Sequence, residues 1–84
     1  MRISELKQKE VINVCDGCRL GFICDMEIDV KCGKIKKIII PAKGKFFGIF
    51  GCEQEYHISW CDIKCIGNDL ILVDADIDDI LIDV

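Results

Sequence analysis

A chain of 84 residues has room for one small core and buries only about 60 to 65% of the surface it exposes when unfolded. Eleven Lys and Arg against fifteen Asp and Glu give a formal net charge of -4, which repels phosphate backbones and disfavours direct contact with nucleic acid. Apolar residues make up 51%, weighted toward β-branched Ile and Val, yet no run approaches the ~20 residues of a membrane span. The opening MRISELKQKE also lacks the apolar core of a signal peptide, so one cytoplasmic, strand-rich domain is expected.

Taken in chain order, Glu10 to Val14 reads as a short strand, and Asp16-Gly17 supplies residues that tolerate the positive φ of a hairpin turn. The next stretch alternates. Leu20, Phe22, Cys24, Met26, Ile28 and Val30 share one face while Gly21, Asp25, Glu27 and Asp29 share the other, the pattern of one long strand with one buried face. Lys31-Cys32-Gly33-Lys34 forms a turn, and Ile35 to Ile40 follows as a strand buried on both faces that Pro41 is expected to end.

Residues 42 to 54 carry three glycines among Phe46, Phe47, Ile49 and Phe50 and suit an irregular loop. Tyr56, Ile58 and Trp60 then alternate with His57 and Ser59, with Tyr56 and Trp60 expected toward the core. Ile63 to Ile66 is a further strand, and Gly67-Asn68-Asp69 turns the chain into a last one over Leu70 to Asp74. In the tail over 75–84, Ile77, Ile80, Leu81, Ile82 and Val84 alternate with acids in a way that fits either a helix or an added strand. About six strands in a chain this short bury a common face by curling into a small all-β antiparallel barrel. Residues 1–84 read as a single domain, with its core in 1–74.

Seven cysteines without a signal peptide point to free thiols rather than a disulfide framework. Cys15-Asp16-Gly17-Cys18 has the C-x-x-C spacing of zinc knuckles and redox sites, but a hairpin turn offers no helix dipole to activate a thiolate. A zinc site would need Cys15 and Cys18 to be joined by two of Cys52, His57, Cys61 and Cys65. Spacings of four and three in that group are not the knuckle pattern, so the preferred reading makes Cys24 and several others small apolar core residues and assigns no cofactor. His57 has no hydroxyl or thiol partner placed by the sequence, and no catalytic residue is assigned. Asp74-Ala75-Asp76-Ile77-Asp78 starts like a calcium loop, yet Asp79 replaces the required glycine.

Three stretches carry a likeness to known proteins: ISELKQKEVINVCDGCRLGFICDMEID, GKFFGIFGCEQEYHISWCDIKCIG and NDLILVD. Together they resemble the YlmC/YmxH family of sporulation proteins with a PRC-barrel fold, up to about Asp74. Ser59 stands where that family commonly has Pro, and His57 where it has an aliphatic residue. The resemblance implies a compact β-barrel of the kind seen in the photosynthetic reaction-centre H subunit and at the C-terminus of the ribosome maturation factor RimM, where it docks onto other proteins. It brings no catalytic residues with it.

The expected function is therefore a non-enzymatic interaction module for an unidentified protein partner. Its candidate contact residues are Phe46, Phe47, Ile49 and Phe50, either as an exposed docking tip or as a cap on the barrel. The alternatives are a cysteine-based zinc or redox module and association with a ribosomal protein. The apolar tail residues are expected to cover the barrel or a second copy of it, as in a homodimer.

Overall fold

The computed structural model describes residues 1–42 and 54–83. The chain begins with one turn of helix, α1 (Ile3–Leu6), in which the Arg2 N–H donates to Glu5 Oε1 at 3.4 Å. Strands β1 (Glu10–Asn13), β2 (Cys18–Phe22), β3 (Asp25–Asp29) and β4 (Lys34–Ala42) follow, then β5 (Gln54–Ser59). A 3-10 turn at Trp60–Asp62 leads to β6 (Ile63–Ile66) and β7 (Leu70–Val73). One more helical turn, α2 (Ile77–Ile80), precedes β8 (Leu81–Asp83).

These strands form two four-stranded sheets. Sheet I has the order β2-β1-β7-β6 and sheet II the order β3-β4-β5-β8. The fold is all-β, as expected, but with eight strands rather than six. Neighbouring strands pair antiparallel except β1 and β7, which run parallel in the middle of sheet I. Val11, Leu20, Ile71 and Val73 from sheet I meet Ile38, Ile40 and Ile58 from sheet II in a common core, closed at its ends by Leu6, Ile23, Ala75 and Ile80. The sheets come together along β2 and β4, where a Cβ on Gly21 would lie 3.6 Å from Ile40 Cγ2.

The predicted turns are present: Gly17 (φ +72°) lies in the β1–β2 turn and Gly33 (φ +73°) in the β3–β4 turn. Three expectations are corrected. The long alternating strand over Leu20 to Val30 is two strands in two sheets: Ile23 is buried, Phe22 and Cys24 are exposed, and Val30 is 92% exposed. Gly21, at φ +111°, marks the place where the chain leaves one sheet for the other.

Pro41 does not end β4, which pairs with β5 as far as Ala42. The Ile39 carbonyl accepts from Cys24 N on the β3 side, and the β3 ladder stops there. The Pro41 nitrogen, two residues on and pointing to the same side, faces no strand among the described residues to which it would donate. Trp60 belongs to the 3-10 turn rather than to the strand, although it and Tyr56 do pack against the core. The tail uses both open alternatives: Asp76 caps α2 by accepting from Asp78 N at 3.0 Å, and β8 then adds to the edge of sheet II beside β5.

Candidate interaction surface

Two buried polar groups hold the surface together. Asn13 is fully buried; its Nδ2 donates to Ala75 O at 2.7 Å and its Oδ1 accepts from Ala75 N at 3.1 Å, fastening the chain after β7 to the end of β1. Lys9 is 8% exposed, and its Nζ donates to the carbonyls of Gly67 and Asn68 at 2.7 and 2.6 Å, so the β6–β7 turn is tied to the entry of β1.

Phe46, Phe47, Ile49 and Phe50, the candidate partner contacts, lie outside the described residues, as does Cys52. The remaining candidate metal ligands occupy separate places. Cys15 and Cys18 flank the β1–β2 turn, where Asp16 Oδ1 accepts from Cys18 N at 2.9 Å. His57 lies on the outward face of sheet II with its Nε2 3.0 Å from Glu55 Oε1, Cys61 sits in the 3-10 turn, and Cys65 is on β6. Among the described residues no three His, Cys, Asp or Glu side chains converge on one point. All six described cysteines are exposed, which corrects the expectation that Cys24 and several others fill the core. The core positions are taken by Ile and Val instead.

Cys24 nevertheless sits at a partly desolvated spot, in a groove of about 200 Å³ that it lines with Ile3, Lys7, Asp25, Met26, Ile28 and Ile35. That desolvation, with the negative charges of Glu55 and Asp25, raises its thiol pKa and makes it a poor nucleophile. A wider groove of about 410 Å³ runs between β2 and sheet II, lined by Glu10, Arg19, Leu20, Gly21, Phe22, Pro41 and Tyr56. Burial, and then the nearby Cys18 and Asp16, push the Tyr56 hydroxyl up, so it remains a neutral hydrogen-bonding group at that groove.

The outward face of sheet I is a feature that reading the sequence missed. Leu70 and Leu72 alternate with the buried Ile71 and Val73, so β7 is apolar on both faces. The signal was present in the uninterrupted Leu70-Ile71-Leu72-Val73 run, the pattern of a strand covered on two sides.

The comparisons with known proteins agree with this fold. The family model for the PRC-barrel domain matches residues 1–80. A Bacillus subtilis (strain 168) protein named "Probable sporulation protein YlmC" is 49% identical over 71 residues, covering 84% of this chain and 88% of that one. An uncharacterized protein of Clostridium acetobutylicum is 40% identical over 74 residues, covering 88% of this chain and 84% of its own. The uncharacterized protein YmxH of Bacillus subtilis is 36% identical over 77 residues, with 89% of each chain covered. With the β topology, the family model and these three relatives in agreement, the chain belongs to the YlmC/YmxH family of PRC-barrel proteins.

Proposed function

We propose that this chain is a non-enzymatic, cytoplasmic protein-interaction module of sporulation that docks onto a protein partner through Phe46, Phe47, Ile49 and Phe50. The observation that carries this reading is the connection between β4 and β5. It spans 43–53 and holds three of the chain's four Phe, where a hairpin needs only two to five residues. Aromatic side chains dominate contact energies at interfaces. The sporulation role is drawn from the name of the relative YlmC. Among the described residues no helix is long and apolar enough to cross a membrane.

The double substitution Phe47→Ser and Phe50→Ser tests the reading. The expected result is loss of partner capture from sporulating cells with little change in the thermal midpoint. If the side chains instead plug the barrel, each truncation costs about 3 to 5 kcal/mol and the docking reading fails.

The exposure of the six described cysteines keeps a zinc or redox module as the second reading. Metal analysis of protein purified without chelator separates the two, because one zinc per chain would displace the docking module as the leading function. Co-sedimentation with ribosomes would identify the partner as a ribosomal protein.

A further inference from the structure

We propose that the outward face of sheet I is a self-association surface on which a second copy of this chain packs face to face. A sheet with one face on a core normally turns polar residues outward on the other. In sheet I the inward positions are Val11 and Asn13 on β1 and Ile71 and Val73 on β7, which sends Ile12, Leu70 and Leu72 outward. The strand register gathers these into two rows. Phe22, Glu10 and Leu70 lie side by side in one; Arg19, Ile12, Leu72 and Cys65 lie side by side in the next. Phe22 is 51% exposed and Leu70 39%, so the apolar surface is open to solvent in the single chain.

The charges on this face select its occupant. Its strands β2, β1 and β7 carry one acid and one base, Glu10 and Arg19, paired at 2.8 Å with the Arg19 side chain 72% exposed, and Lys64 stands apart on the β6 edge. A two-fold axis through the face brings Arg19 of each copy toward Glu10 of the other, so the face is complementary to itself. An acidic partner would meet Glu10 and a basic one Arg19, whereas a second copy answers both. The edges of sheet II do the opposite. β3 carries Asp25, Glu27 and Asp29, and β8 carries Asp83 after the α2 acids Asp78 and Asp79, so two copies meeting edge to edge there would set acid against acid. Aligned face-to-face packing at about 10 Å between sheets gives Ile12 and Leu72 apolar neighbours in place of water. This inference is independent of partner capture by the segment over 46–50.

Sedimentation velocity of the full chain, with reductant present to keep the exposed thiols from cross-linking, tests it between about 1 and 500 μM. The expected result is a monomer–dimer equilibrium. Leu70→Glu and Arg19→Glu should each weaken it about tenfold or more, and Glu10→Arg combined with Arg19→Glu should restore it. A chain that stays monomeric at the highest concentration overturns the inference, as does a dimer indifferent to both single substitutions or an open-ended assembly. Should Leu70→Glu fail to fold, the charge reversal at the exposed Arg19 and its rescue decide the matter alone.

Discussion

Sheet II turns Asp25, Glu27, Lys37, Glu55, His57 and Ser59 outward around Ile39 and Ile82, while sheet I turns Ile12, Leu70 and Leu72 outward with a single ion pair among them. Both sheets supply the same core with the same residue types: Ile38, Ile40 and Ile58 from one, Val11, Ile71 and Val73 from the other. The difference is confined to the second face of each. On sheet II, alternation and ion pairs, such as Lys37 Nζ to Glu27 Oε2 at 3.4 Å, suit a surface that remains wet. On sheet I, two leucines and an isoleucine face outward in a chain too small to spare apolar residues, and the core alone does not explain them.

The comparison breaks first at the shared core. Ile58 is fully buried in sheet II, and Ile58→Ala should cost about 2 to 5 kcal/mol, read as a large drop in the urea midpoint. Ile71→Ala in sheet I should cost a similar amount, since the inward faces are equivalent; a cost confined to one sheet would show that the core is not shared. Next in size is Asn13→Ala. It removes both bonds to Ala75 and leaves a buried carbonyl and N–H unpaired, at a cost of about 2 to 4 kcal/mol in chemical denaturation. Lys9→Met keeps the apolar stem but loses two charge-assisted bonds to the β6–β7 turn. It should cost about 1.5 to 3 kcal/mol and speed amide exchange at Gly67 to Asp69.

The smallest effect concerns Asp29 at the β3–β4 turn. The Lys31 backbone N–H, followed by the Cys32 side chain, holds its carboxyl below the usual range. A depressed folded-state pKa contributes stability that is present above the unfolded value of about 3.9 and is lost as pH falls through the lower folded value. Because Asp29 is fully exposed, the expected result is a slight loss of hairpin order below about pH 4 by NMR, absent in Asp29→Asn.

The parts of this fold that were legible in the sequence are those with local causes. Asp16-Gly17, Cys32-Gly33 and Gly67-Asn68 mark turns because their residues tolerate turn geometry whatever surrounds them, and the hairpins on either side follow from the alternation. The division of residues 20 to 30 was not legible. Alternation continues through Phe22 and Cys24, and the change of sheet depends on where β4 lies, with Gly21 as the one local trace. Pro41 misled for a related reason: whether a proline ends a strand depends on whether a neighbour needs its N–H, and β3 has already stopped at that level. The cysteines misled through composition, since a small apolar residue type need not be inside when Ile and Val already fill the volume. The outward leucines of β7 were visible as letters, but their meaning appears only when Ile71 and Val73 are known to face the core.

The parallel pairing of β1 with β7 sets Glu10 beside Leu70, sixty residues away along the chain. During synthesis the β1–β2 hairpin is made well before β7, the strand that pairs with it. Sheet I therefore cannot close until β7 has left the ribosome. A topology so rich in distant partners folds in milliseconds to seconds rather than microseconds. Through that interval the β1–β2 hairpin waits with Val11 and Leu20 uncovered, the stage at which a nascent chain of this kind is most exposed to aggregation and most in need of a chaperone.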